Sequence, residues 1–118
     1  MQKNLTESIL KHHFEAFDRQ DLPDLLSDYA ENALLLVHEK CYQGHTEISV
    51  FFKDFMQNQL VAESDFELQV MQVVDNLGYI VWRATTPTQT FEMATDTFVI
   101  QDGKIQQQTF ARLLTSKA

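Results

Sequence analysis

The residues able to do chemistry are few, and two of them stand in apolar company. Asp96 lies within Ala94-Thr95-Asp96-Thr97-Phe98-Val99-Ile100. Side chains of a strand alternate between faces, so Asp96 shares its face with Phe98 and Ile100. A carboxylate on such a face points to a core or a cavity wall rather than to open water. His13 belongs to the set Ile9, Leu10, His13, Phe14 and Phe17, which recurs at helical spacing. The spacing places His13 on the apolar stripe and turns His12 about 100° away, toward the flank. An imidazole responds readily to its surroundings and can give or take a proton near neutral pH, which makes His13 an acid/base candidate.

Other residues carry weaker signals. Gln106, Gln108, Phe110 and Arg112 alternate along one face of the following stretch, and an arginine there suits two-point contact with a planar anion. Their plain alternative is a face against water or a partner chain. His38 and His45 flank a loop without a carboxylate or third histidine at ligand spacing, so neither a metal nor a cofactor is predicted. Cys41 is the single cysteine, which excludes an internal disulfide and a cysteine metal cluster, and it reads as an ordinary thiol.

Composition narrows the partners. The chain has 118 residues, 44% of them hydrophobic and 22% charged, and one globular domain over 1–118 is expected. A net charge of −8 disfavours nucleic acid and anionic membrane surfaces, so neither is expected as a partner. No apolar run approaches the roughly 20 residues of a membrane span, and Met1 to Glu7 lack a secretory apolar core. A cytoplasmic location is the expectation that follows.

The elements that must position these residues can be read in order. Asn4 and Glu7 form a capping box for a helix over Leu5 to Arg19. Asp21 caps a short second helix, with Pro23 in its first turn and Leu22, Leu25, Leu26 and Tyr29 on its buried face. Ala33 to His38 is a strand, followed by a loop or short irregular strand from Glu39 to Gly44. Thr46 caps a third helix whose face is Ile48, Phe51, Phe52, Phe55 and Met56. Strands then run from Phe66 to Val74 and from Tyr79 to Thr85, with a turn over Asp75 to Gly78 and a break at Pro87. Two long strands close the chain, joined by a tight turn at Asp102-Gly103. Helices first and antiparallel strands after predict an α+β fold, a strongly curved sheet wrapped over three N-terminal helices as a cone. The interior of such a cone is a natural small-molecule pocket.

Four stretches resemble the SnoaL-like, nuclear transport factor 2-like superfamily, which includes ketosteroid isomerase. They are His13-Phe14-Glu15-Ala16-Phe17-Asp18-Arg19-Gln20-Asp21-Leu22, Tyr29-Ala30-Glu31-Asn32-Ala33, Gly44-His45-Thr46-Glu47-Ile48 with Phe51-Phe52, and Asp96 through Ile105. The resemblance implies a cone-shaped α+β barrel, a homodimer formed through the sheet, and a pocket between sheet and helices. Ketosteroid isomerase uses an aspartate base and an oxyanion hole of tyrosine and protonated aspartate. Its oxyanion aspartate aligns with Asp96, its first-helix tyrosine with His13, and its base with Val37, which cannot accept a proton. That substitution speaks against ketosteroid isomerisation as such. The resemblance implies that His13 and Asp96 share the cavity, as a proton shuttle with its orienting partner or as a structural pair. It also implies that Tyr29, Val37, Phe52, Phe98, Gln108, Phe110 and Arg112 line it around a small, largely apolar ligand. The alternative reading is a non-catalytic dimeric interaction module whose outer sheet face matters more than its cavity.

Overall fold

Local chemistry sets most of the element boundaries in the computed structural model, which describes residues 2–117. Helix α1 spans Gln2–Asp18 and buries Ile9, Leu10, His13 and Ala16. Asp21 caps α2 (Leu22–Leu26) by accepting the Asp24 backbone N–H at 3.1 Å, and Pro23 sits in the first turn as expected. Tyr29, placed by its spacing on the face of α2, instead opens strand β1 (Tyr29–Val37). Its ring is buried all the same, at 2% exposure. Spacing of three or four residues reports burial equally well when the chain leaves the helix.

A short β2 (Lys40–Gln43) pairs antiparallel with β1 and leads into α3 (Gly44–Asp54). Gly44, at φ +83°, makes the sharp entry, so the helix begins before Thr46 and that residue caps nothing. Glu47 instead reaches back to accept the Gln43 N–H at 2.8 Å. Beyond α3 the chain widens into one turn over Phe55–Gln59, closed by the Leu60 N–H on the Phe55 carbonyl at 2.8 Å, five residues back.

The second half is β3 (Asp65–Val74), β4 (Leu77–Thr85), β5 (Gln89–Gln101) and β6 (Lys104–Ser116). The six strands form one sheet in the order β2-β1-β6-β5-β4-β3, antiparallel except where β1 runs parallel to β6. Three helices pack on the concave face of this curved sheet, which stays unclosed. Asp102 and Gly103, at φ +55° and +73°, make the two-residue turn between β5 and β6. The turn between β3 and β4 is tighter than expected, only Asp75-Asn76, because Val74 already pairs with Leu77.

The β4 alternation resolves which side chains face inward. Ile80, Trp82 and Ala84 are buried on the inner face, while Arg83 is exposed on the outer face. Gly78 shares the inner face beneath α1, and a Cβ there would stand 2.6 Å from Leu10 Cδ1. On β5, Ala94, Asp96, Phe98 and Ile100 all turn inward, as the alternation predicts.

Candidate functional site

Sheet register brings four polar side chains together. Asp96 pairs with Ile80 on β4 and with Phe110 on β6, so Trp82 and Gln108 are its diagonal neighbours. Trp82 Nε1–H donates to Asp96 Oδ1 and Gln108 Nε2–H donates to Asp96 Oδ2, each at 2.8 Å. The amide oxygen of Gln108 accepts the Tyr29 hydroxyl across the parallel β1–β6 seam. Donors therefore run in one direction, from Tyr29 through Gln108 to Asp96, with Trp82 arriving from the other side.

Burial dominates the electrostatics of this group. It lifts the Asp96 carboxyl to about 6, against the opposing pull of the Trp82 and Gln108 bonds, and it pushes the Tyr29 phenol well above its ordinary range. A carboxyl near 6 is mostly ionised at neutral pH yet basic enough to take a proton.

His13 lies on the facing helix inside a ring of aromatics. The centroids of Phe98, Tyr29, Phe14 and Phe52 stand 5.4, 5.8, 6.1 and 6.2 Å from the imidazole. Its Nδ1 is buried and has no hydrogen-bond partner among the described residues. Burial, with a smaller contribution from His12, holds the imidazole down at about 3, so it is neutral at physiological pH. His13 and Asp96 both border the pocket, but no hydrogen bond joins them among the described residues. Each Asp96 oxygen is engaged by an N–H of the sheet, and the ring against His13 is that of Phe98.

A pocket of about 370 Å³ lies between the helices and the sheet. His13, Asp96 and Gln108 are its buried polar lining, and Phe17, Phe52, Phe55, Trp82, Phe98 and Phe110 supply aromatic walls. Leu60 and Val61 extend the wall beyond the wide turn, and the exposed Glu15 and Asp18 border the opening. Of the residues that the sequence places in the cavity, His13, Phe52, Asp96, Phe98, Gln108 and Phe110 are among those lining it. Tyr29, Val37 and Arg112 are not. Tyr29 donates its hydroxyl to Gln108, and Val37 is buried in the core opposite Phe110. Arg112 lays its guanidinium over the rings of Phe110 and Phe55, at 5.4 and 5.9 Å, with burial lowering its pKa.

Sequence spacing turned His12 toward the flank and gave it no partner, yet the structure gives it two. Its Nδ1 meets both Asp28 oxygens at 2.8 Å and its Nε2 lies 3.1 Å from Asp24 Oδ2. Arg19 Nη2 also donates to Asp24, at 2.7 Å. The Asp28 bond is the largest of the effects that raise the His12 pKa. The available signal was the four-residue spacing of Asp24 and Asp28 beside a helix end. His45 Nε2 lies 2.8 Å from the Tyr29 carbonyl oxygen, and Cys41 is exposed. No group of three or more His, Cys, Asp or Glu side chains able to hold a metal occurs among the described residues.

An open cone of three helices and a six-stranded sheet, with an aromatic pocket between them, defines the nuclear transport factor 2-like class. Within it, the chain belongs to the SnoaL-like domain family, whose sequence profile matches residues 10–108. A candidate ketosteroid isomerase from Kribbella flavida has 8% identity and a TM-score of 0.82, over 99% of this chain and 84% of the other. An NTF-2 like protein of unknown function from Burkholderia xenovorans has 14% identity and a TM-score of 0.81, over 100% and 90%. The epoxide hydrolase/cyclase-like enzyme SalBIII, which has a role in pyran ring formation in the polyether salinomycin, has 17% identity and a TM-score of 0.79, over 99% and 100%. Such identities show a shared fold alone. No protein of curated function matches the chain in sequence. Among the described residues no helix is long and apolar enough to cross a membrane.

Proposed function

We propose that the protein binds a small, largely apolar molecule in this pocket and moves a proton on it, in chemistry of the isomerase, cyclase or dehydratase type. The observation that carries this reading is Asp96, a buried carboxylate in an aromatic enclosure, steadied by two N–H donors and raised to about 6. The Kribbella flavida protein and SalBIII are named for reactions within the same range. In this reading Asp96 takes a proton from the ligand and returns it at another atom, replacing the base that Val37 cannot be. His13 stays neutral and offers a hydrogen bond to the ligand rather than shuttling the proton. Mass spectrometry of the denatured protein identifies a co-purified molecule to use as substrate. Asp96→Asn is expected to lower its turnover by about 10²–10⁴-fold with the fold intact, the usual weight of one proton-transfer group. Full turnover by that variant sinks the assignment.

A second copy of the chain is the partner we propose, seated on the outer face of the sheet. Leu36, Met93 and Leu113 stand there at 45%, 50% and 62% exposure, and Met93 pairs directly with Leu113. In the non-catalytic alternative this face is the functional surface. Light scattering should give a dimer mass for the wild type and a monomer for Leu113→Asp.

A further inference from the structure

The charged residues that line the pocket are all acidic. Asp96 lies inside it and Glu15 and Asp18 at its opening, while no lysine or arginine lines it among the described residues. Arg112, the cation that the sequence offered for a carboxylate ligand, is not part of the lining: its guanidinium stacks behind two wall rings, Phe110 and Phe55, with its buried Nη1 unpartnered among the described residues. His13, the other basic group in the pocket, is held neutral by burial. Asp96 has no ion-pair partner among the described residues, because both of its bonds come from uncharged donors, Trp82 and Gln108.

A carboxylate oxygen can accept more than one hydrogen bond, so each Asp96 oxygen keeps accepting capacity after these contacts. A buried charge without a counter-charge is costly, and a donor that reaches it relieves that cost. A second anion in the same low-dielectric space meets repulsion instead. Gln108 cannot compensate by turning its amide, since its oxygen takes the Tyr29 hydroxyl while its nitrogen serves Asp96.

We infer that the ligand is an apolar molecule presenting an O–H or N–H donor to Asp96, uncharged or cationic, and that the pocket excludes anions. The inference rests on the pocket reading above and narrows its substrate class to exclude carboxylic acids.

Three probes of one shape test it: naphthylmethylamine, naphthylmethanol and naphthylacetic acid, titrated calorimetrically against the protein near neutral pH. The amine is expected to bind about tenfold more tightly than the alcohol, and the acid at least about tenfold more weakly. In Asp96→Asn the amine and the alcohol should bind within about threefold of each other, with the acid approaching both. Equal binding of acid and alcohol to the wild type overturns the inference while leaving the pocket reading standing. So does an unchanged amine-to-acid ratio in Asp96→Asn. Failure of all three probes to bind counts against both. If Asp96→Asn does not fold, the rim variant Glu15→Gln/Asp18→Asn takes its place. Removal of two exposed negative charges should then strengthen acid binding by about threefold, and no gain counts against anion exclusion.

Discussion

His12 and His13 are consecutive on α1, yet burial and partners drive them in opposite directions. His12 keeps 37% of its side chain in solvent, binds two aspartates and has its pKa raised. His13 is 6% exposed, sits among aromatic rings with an unpartnered Nδ1, and is held at about 3. A helix turn of about 100° per residue therefore separates a charged surface tie from a neutral cavity wall. The same residue type does opposite things because one ring gains anions and the other loses water.

The largest expected effect comes from setting His13 against Asp96. A histidine that falls from 6.5 unfolded to about 3 folded contributes stability above 6.5 that is lost as the pH drops toward 3. An aspartate that rises from 3.8 unfolded to about 6 folded does the reverse, favouring the fold as the pH drops from 6 toward 3.8. Between these limits each contributes ~1.4 kcal/mol per pH unit with opposite sign, so the two contributions nearly cancel in the wild type. His13→Leu should gain stability on acidification and Asp96→Asn should lose it. Urea unfolding at several pH values reads the two slopes, and parallel slopes would refute the opposed assignment.

Trp82→Phe sharpens the cavity side of the comparison. It keeps an aromatic ring but removes the N–H on Asp96 Oδ1, at an expected cost of about 1–3 kcal/mol at neutral pH. The loss should shrink below the Asp96 pKa, where the carboxyl carries its own proton. Chemical denaturation at two pH values checks both parts.

The smallest effect belongs to the flank. His12 has a raised folded pKa, so its contribution is fully present below 6.5 and disappears as the pH rises through the folded value. Because the ring is more than a third exposed, His12→Ala should cost only about 0.5 kcal/mol in acid, less in high salt, and nothing in alkali. A cost that persists in alkali would mean that packing, rather than charge, is what His12 supplies.

The fold was legible wherever a period or a turn residue decided the matter. Asp102-Gly103, the inward alternation around Asp96 and the helix beginning at Asp21 all follow from local chemistry. Tyr29 and Thr46 were misplaced by a few residues because burial periodicity does not mark where a helix ends, and because Gly44 offered an earlier start. Within the site, strand parity placed Asp96, Phe98, Gln108 and Phe110 in the pocket. It could not reveal that Trp82 and Gln108 would meet Asp96, since those contacts depend on cross-strand register. Arg112 lies on the predicted face, but it stacks on two rings of the pocket wall and does not itself enter the lining. The ties of His12 depend on how α2 and its following turn dock against α1, which no spacing within α1 encodes.

The Gln108 amide also sets an order of events. It joins Tyr29, 79 residues earlier, to Asp96, 12 residues earlier, and it arrives on the last strand. The local hairpins of β3, β4 and β5 can form as the chain emerges, but β1 has no parallel neighbour until β6 exists. A growing chain therefore holds an unfinished sheet whose Tyr29 hydroxyl still needs water. The polar lining is complete only when β6 lies between β1 and β5, so these contacts tie the last strand of the chain to one of the first.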